Sequence, residues 1–390
     1  MLSRRTWLQA VAATSCCLLI PSVRGASLSN STRLLAAWQT TDDQFAGIIR
    51  AQAGRWEVEA SVALPGPANG LQALSDGSVL VVARRPGDWL LHWQPGSGVH
   101  RWHWPNDDRR CNGHLLTVSP QAESFFTTET DQGSGHGLIG VRDRQTMEKL
   151  AEWPTHGLDP HQMLILPQAL MGLPAGALLV ANGGIPTLAE SGRSKKLVAG
   201  MDSSLVALDS NNGQLLGQWR LADARLSLRH LAWDSMSGEV GIALQAEHDD
   251  PAIRHAAPVL ARWNGKTLQL ARQAARLQGY GGSICAAPRG GFVVSCPRAD
   301  GTAWFDVAGL FLTLKRQAEV CPLALDKGLV WAGGANRVST QVMQQTTWSD
   351  TNSPAARSWQ FDNHWHVLTG QSARADRAVR RELFPSPAGV

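Results

Sequence analysis

Residues 69–85, NGLQALSDGSVLVVARR, contain the clearest copy of a pattern that recurs along the whole chain. Two short apolar runs flank a Ser-Asp-Gly-Ser turn, and the second run ends in polar residues. Copies of this pattern occur at 113–129, 160–182 and 229–245, more faintly at 282–298 and 321–334, and in a split form that combines 34–38 with 363–370. A unit of this size cannot bury its own apolar face, which is typical of repeat architectures. Because each unit is a strand pair, the seven copies predict an all-β fold, a seven-bladed β-propeller.

The split copy predicts how the ring closes. A strand from the N-terminal end, 34–38, is expected to pair with one from the C-terminal end, 363–370, and this pairing removes exposed sheet edges. Polar or Gly/Pro-rich linkers do not divide the repeats, so residues 27–370 are expected to form one propeller, followed by a tail at 371–390.

The N-terminus carries a targeting pattern. Paired arginines at Arg4 and Arg5 precede an apolar stretch, residues 8–20, that is too short to span a bilayer. This arrangement resembles a twin-arginine export signal, here residues 1–26. We therefore expect a periplasmic protein that is exported already folded and has no transmembrane segment in its mature chain.

Composition excludes one class of partner. The net charge is only +4, with 17% charged residues, and no basic patch stands out, so we predict no nucleic-acid binding. The 16 tryptophans are expected mainly in the core, packing between sheets.

Two cysteines flank a predicted hairpin turn. Cys285 and Cys296 are symmetrical about Gly290-Gly291, so a two-residue turn would place them opposite each other on adjacent strands. In an oxidising compartment they could form a disulfide, and the spacing alone leaves this open. Cys111 and Cys321 have no obvious partner.

The polar ends of the repeats indicate a site. In an antiparallel pair, the start of the first run and the end of the second lie at the same end of the sheet, so all blades contribute side chains to one mouth of the central channel. Four histidines, each at the start of the first apolar run of a different copy, form the predicted set of metal ligands: His114, His161, His230 and His364. Further predicted lining residues are Arg84, Glu129, Asn182 and Gln245.

The ligand chemistry stays open at this point. Imidazoles with a carboxylate suit a transition metal such as copper, iron or zinc. The same mouth would equally suit an anionic organic ligand, with Arg84 and Arg298 binding its carboxylate or phosphate and His161 or Glu129 moving protons.

Several short motifs resemble those of the DUF1513 family. They are CNGH at 111–114, HGLDPH at 156–161, ANGGI at 181–185, SLRHL at 227–231 and DNH at 362–364. The resemblance implies an exported, lactonase-like seven-bladed propeller with no established activity. It also implies imelysin-type or iron-uptake proteins as partners, and hence a part in iron handling. Together with the imidazole ligands, this makes iron or copper the expected metal. One stretch departs from the family pattern, because Thr187-Leu188-Ala189 lacks an expected histidine before a basic loop.

Three functions from different classes follow. The first is a protein that binds a metal, a metal chelate or a small anion at the channel mouth. The second is a lactonase-like hydrolase that uses Glu129, His161 and arginines; there is no Gly-x-Ser-x-Gly motif for serine chemistry. The third is a non-catalytic scaffold for a partner protein.

Overall fold

The computed structural model describes residues 31–52, 54–106, 108–119, 121–185, 187–188, 192–193, 200–335, 337–351 and 359–368. These residues form a seven-bladed β-propeller, as predicted. The predicted signal peptide, the C-terminal tail and most of the basic loop after residue 188 lie outside the described residues. Within the described parts of the chain, no helix is long and apolar enough to cross a membrane.

The blades are four-stranded antiparallel meanders, and the strands follow one another along the chain. The chain starts with β1 (Thr32–Gln39), β2 (Gln44–Gln52) and β3 (Gly54–Leu64). Blade 1 contains β4 (Ala68–Ala73), β5 (Val79–Ala83), β6 (Leu90–Trp93) and β7 (His100–His103), and blade 2 contains β8 (Arg109–Leu116), β9 (Ser124–Asp131), β10 (His136–Asp143) and β11 (Lys149–Leu158). Blade 3 contains β12 (Pro160–Ile165), β13 (Leu178–Asn182), β16 (Ser204–Leu208) and β17 (Leu215–Trp219), with a small hairpin of β14 (Thr187–Leu188) and β15 (Gly192–Arg193) inserted.

The second half of the ring repeats the arrangement. Blade 4 contains β18 (Leu226–Asp234), β19 (Glu239–Ala246), β20 (Leu260–Trp263) and β21 (Leu268–Leu270), with helix α1 (Pro251–Ala256) between β19 and β20. Blade 5 contains β22 (Ser283–Ala286), β23 (Phe292–Cys296), β24 (Gly301–Phe305) and β25 (Phe311–Arg316), with a 3-10 turn at Pro297–Ala299. Blade 6 contains β26 (Val320–Asp326), β27 (Leu329–Gly334), β28 (Arg337–Val342) and β29 (Gln345–Thr351), and β30 (Gln360–Val367) ends the described chain.

The ring closes through a blade made from both ends of the chain, as predicted. In this blade 7, β30 is the innermost strand and pairs antiparallel with β1, for example Leu34 with Val367. A second link joins blades 6 and 7 at their outer edges, where β29 pairs parallel with β3. The N-terminal strands are therefore held from two sides.

Apolar clusters fill the spaces between the blades. Each of the seven interfaces between neighbouring blades holds one such cluster in the described residues. Middle strands are covered on both faces, so β5 reads VLVVA and is buried throughout. Trp56, Trp263, Trp304 and Trp331 are fully buried, in agreement with the expected core role of the tryptophans.

The innermost strands share an irregularity near one end. The structure describes all seven innermost strands. Six of these strands show a register shift relative to their partner strand, and β22 alone pairs regularly. The shifts fall at Ala68/Gly70, Cys111/Leu115, Pro160/Met163, Leu228/Leu231, Val320/Leu323 and, in β30, between Phe361 and Trp365. A β-bulge bends the strand and re-aims the side chains that it contains.

The predicted facing of Cys285 and Cys296 is wrong. The Ala287 N–H donates to Gly291 O (2.9 Å), so the turn has three residues rather than two, and Cys285 pairs with Val293. Cys296 pairs with Gly301 on the other side of β23, and the two thiols lie in different apolar clusters. Both cysteines are free thiols.

Candidate functional site

Four histidines from four innermost strands meet in the central channel. His114 is on β8, His161 on β12, His230 on β18 and His364 on β30. The ring centroids of His161 and His230 are 4.6 Å apart. The His114 ring centroid lies 4.4 Å from that of His161 and 4.8 Å from that of His364. The His230 and His364 rings are 4.5 Å apart, although their strands belong to blades 4 and 7. This histidine cluster therefore spans the channel.

The bulges explain why these side chains converge. Each histidine lies within the register shift of its own strand. At β8 the shift depends on Gly113, whose φ of +91° favours glycine, and an added Cβ would lie 2.9 Å from Asn69 Nδ2. Asn69 Nδ2 donates to Gly113 O (3.1 Å) and lies 3.3 Å from His114 Nε2. The Asn69 amide thus holds both the bulge and the imidazole.

Burial keeps the cluster neutral. His114, His161 and His230 are 4%, 5% and 1% exposed, and His364 is partly exposed. Burial is the main cause that lowers the pKa of the first three well below the usual value; neighbouring imidazoles and the positive charge of Arg85 lower it further. Burial, with Arg84, lowers the pKa of His364 to about 4. The imidazoles are therefore uncharged at neutral pH, which is the form that binds metals.

The nitrogen atoms of the cluster are incompletely satisfied. His161 Nε2 and His230 Nε2 are 2.9 Å apart, so one ring donates a hydrogen bond to the other. Among the described residues, His161 Nδ1 and His364 Nε2 are buried and have no hydrogen-bond partner. Unsatisfied buried nitrogens are costly, and a bound ion would satisfy them.

The imidazole nitrogens of three histidines are slightly farther apart than the ligands of one metal ion. One nitrogen from each of His114, His230 and His364 lies within 4.8 Å of the other two. Two ligands at 2.0–2.1 Å from one ion are at most about 4.2 Å apart. Small side-chain rotations would therefore bring three imidazoles into coordination distance, with His161 adjacent as a fourth.

A buried ion triad adjoins the cluster. Asp159, which is completely buried, accepts from Arg85 Nη1 and, at 2.8 Å, from Arg229 Nη1. Asp159 comes two residues before His161, and Arg229 directly precedes His230. Gly183 makes room for this contact, because an added Cβ would be 2.7 Å from Asp159 Oδ2 and 2.8 Å from Arg229 Nη1. The sequence prediction missed the triad, although each member lies in a motif next to a predicted site residue.

The structure does not bring Glu129 to the histidines. Its buried carboxylate binds Arg142 (2.8 Å) and Lys149 (2.7 Å) within blade 2. Burial favours a raised pKa for Glu129, but Arg142 and Lys149 outweigh it and the pKa lies below the usual value. The carboxylate occupies space over Gly140, where a Cβ would lie only 2.2 Å from Oε1. Glu129 therefore stabilises the blade.

The other lining candidates mainly join blades. Asn182 Nδ2 donates to Thr155 O (2.9 Å) of blade 2, and Gln245 Nε2 donates to Gly281 O (3.2 Å), next to blade 5. Arg84 differs, because its side chain is 52% exposed and lies 3.9 Å from Asp362, two residues before His364. Among the further predicted lining residues, Arg84 alone lies beside the histidine cluster in the described structure, through its contact with Asp362.

Comparison with known proteins assigns the family. Residues 62–368 match the family described as protein of unknown function (DUF1513). The chain belongs to the DUF1513 family. This confirms the resemblance seen in the motifs. None of the curated proteins matches the sequence.

Solved structures share the fold of this DUF1513 protein at low identity. Virginiamycin B lyase from Staphylococcus aureus is 11% identical, with a TM-score of 0.52 over 74% of this chain and 86% of the lyase. A streptogramin B lyase is 12% identical, with a TM-score of 0.51 over 77% of this chain and 93% of its own. Apo AztD from Citrobacter koseri is 10% identical, with a TM-score of 0.47 over 87% and 99% of the two chains. At these identities the two lyases show the fold alone, and nothing is argued from the AztD match.

Proposed function

We propose that this DUF1513 protein binds a transition-metal ion in the central channel through His114, His230 and His364, with His161 as the adjacent fourth imidazole. The observation that carries the proposal is the convergence of four neutral imidazoles, three buried and one partly exposed, from four different blades. Hydrophobic or small side chains would fill a channel at less cost than polar rings with unsatisfied nitrogens.

The chemistry of the ligand atoms limits which metal ions suit the site. All the candidate ligands are imidazole nitrogens, and the set with metal-ligand spacing found in the described residues contains no cysteine. Imidazole sites suit copper, zinc, iron and nickel, and copper(II) has the highest affinity among divalent ions for such sites. Copper, zinc and iron are therefore the ions to test, and a part in periplasmic iron handling, with imelysin-type or iron-uptake partners, is the finer form of the proposal.

The hydrolase alternative has less support. It required Glu129 or His161 as a proton carrier beside a substrate cavity. Glu129 binds Arg142 and Lys149, and His161 is packed against the imidazoles of His114 and His230. The scaffold alternative remains an outcome of the metal experiment below.

Metal content tests the proposal directly. The protein is exported through its own N-terminal segment, purified without a histidine tag or chelator, and analysed by inductively coupled plasma mass spectrometry. Recovery from the periplasmic fraction also tests the predicted location. The wild type is expected to contain close to one metal ion per chain, and a His161→Ala/His230→Ala variant to contain little.

The matched control removes two histidines elsewhere. His100→Ala/His136→Ala changes two exposed side chains and should keep the metal. Circular dichroism establishes that each variant is folded. A wild type that stays metal-free after incubation with copper, zinc and iron salts would refute the proposal and leave the scaffold function.

A further inference from the structure

A buried asparagine of blade 1 contacts the histidine cluster. Asn69 lies on β4, inside the register shift of that strand, and is 4% exposed. Its amide nitrogen Nδ2 lies 3.1 Å from Gly113 O and 3.3 Å from His114 Nε2, both in blade 2. Asn69 therefore reaches across a blade interface to one of the three histidines that have metal-ligand spacing.

The contact with Gly113 fixes which way the Asn69 amide faces. Nδ2 donates a hydrogen bond to the carbonyl oxygen of Gly113. If the amide were turned over, Asn69 Oδ1 would face that carbonyl oxygen, and two acceptors would oppose each other with no proton between them. It is consequently the Nδ2 end of the amide that also faces His114 Nε2.

This orientation decides where the proton of His114 lies. An amide nitrogen donates hydrogen bonds and does not accept them, so His114 Nε2 is the acceptor in this contact. Nε2 is then unprotonated, and the proton of the neutral ring is on Nδ1. A metal ion binds the unprotonated nitrogen of a neutral imidazole, and the hydrogen bonds of a histidine determine which nitrogen that is.

The carbonyl end of the amide does not explain the orientation. Among the described residues, Asn69 Oδ1 is buried and has no hydrogen-bond partner. A buried carbonyl oxygen without a donor is unfavourable. The two contacts of Nδ2, with Gly113 O and with His114 Nε2, therefore hold the side chain in place.

We infer that Asn69 is a positioning residue of the metal site, which keeps the proton of His114 on Nδ1 and so presents Nε2 to the ion. The ion and the Asn69 N–H use the same lone pair, so metal binding releases this hydrogen bond, whereas the bond to Gly113 O can remain. The choice of ligand atom rests on the proposed metal site. The position of the proton does not, and it can be measured in the metal-free protein.

Nitrogen NMR of the imidazole rings measures the position of the proton. The full chain is labelled with isotopic nitrogen in its histidines, and long-range proton–nitrogen correlation spectra distinguish protonated from unprotonated ring nitrogens. The His114→Gln variant identifies the His114 signals by their loss. In the metal-free wild type, Nδ1 of His114 should be protonated. Zinc should shift the Nε2 signal while Nδ1 keeps its proton.

Asn69→Leu removes the donor and keeps a side chain of similar volume. A single hydrogen bond of this kind changes an equilibrium several-fold, so the ratio of the Nδ1–H to the Nε2–H form of His114 should fall by about two- to tenfold.

Asn182→Leu is the matched control. Asn182 is also buried, and its Nδ2 also donates to a carbonyl oxygen of a neighbouring blade, Thr155 O (2.9 Å). Its other printed hydrogen bond goes to Ser204, so this variant should leave the His114 ratio unchanged. Circular dichroism establishes that both variants are folded.

The possible results separate this inference from the metal proposal. A wild-type proton on Nε2, an unchanged ratio in folded Asn69→Leu, or zinc bound through Nδ1 would overturn the inference and leave the metal proposal standing. If the wild type carries the proton on Nδ1 but takes up no zinc, copper or iron, the metal proposal fails, and the assignment of Nε2 as the ligand atom fails with it. If Asn69→Leu does not fold, the wild-type spectrum alone decides where the proton lies.

Discussion

Asp159→Asn is expected to be among the most destabilising single changes near the channel. The substitution keeps the size of the side chain but removes the buried negative charge that both Arg85 and Arg229 bind. Breaking a buried ion pair in this way costs about 3–5 kcal/mol. Unfolding entropy of about 2.1 cal/mol/K per residue, over roughly 300 ordered residues, converts this to a fall in Tm of about 5–8 °C.

The assay is thermal unfolding by circular dichroism in EDTA, so that metal does not contribute. Asp202→Asn is the matched control, because Asp202 also binds an arginine, Arg220, through two hydrogen bonds of 2.7 and 2.9 Å. Both side chains of that pair are about half exposed, at 50% and 47%, so its loss should cost at most about 1 kcal/mol, or less than about 2 °C. Equal shifts for the two variants would refute the reasoning that the triad is an electrostatically coupled, desolvated unit.

Four further outcomes follow from the same structure. Gly140→Ala would place a Cβ 2.2 Å from Glu129 Oε1 and should lower the free energy of unfolding by about 1–3 kcal/mol in urea titrations. Gly200→Ala, whose Cβ would meet no atom of the described residues within 4 Å, should change it by less than about 0.5 kcal/mol. The pKa values of the four cluster histidines lie below 6.5 in the folded chain, so the unfolded chain binds more protons in acid. The free energy of unfolding should therefore fall as the pH decreases from 6.5 towards about 4, and His364→Gln should make this dependence less steep. A metal at a hundredfold excess over its Kd should add about 2.7 kcal/mol, raising Tm by about 4 °C in a shift that EDTA reverses. Thiol titration of the denatured protein without reductant should detect the four cysteines of the described chain as free thiols, and a loss of two would contradict the register found in blade 5.

The repeat pattern in the sequence was sufficient for the fold. Alternating apolar runs and turn glycines locate the strand pairs. The second strand of each predicted continuous copy, namely β5, β9, β13, β19, β23 and β27, begins inside the range predicted for that copy. The pairing of β1 with β30 also followed, because a ring of blades needs its free edges joined.

The histidine register could be predicted, but the geometry that makes it converge could not. Turn residues and hydrophobic alternation carry no marker for a bulge inside a strand, and an ideal strand at 113–116 would aim its side chains differently. Local sequence patterns also do not predict contacts between blades. Asp159 and Arg229, which form an ion pair, are 70 residues apart in the sequence. Arg142 and Lys149 hold the Glu129 carboxylate inside blade 2, in space that Gly140 on the neighbouring strand leaves free.

The closing strand has a consequence for biosynthesis. His364 arrives on β30, the last described strand to leave the ribosome, and β30 must find β1, which was made first. Until that contact forms, the other three imidazoles face an open groove in a partial ring. Assembly of the four-histidine cluster is therefore coupled to completion of the polypeptide, and a nascent or truncated chain that lacks β30 cannot assemble it.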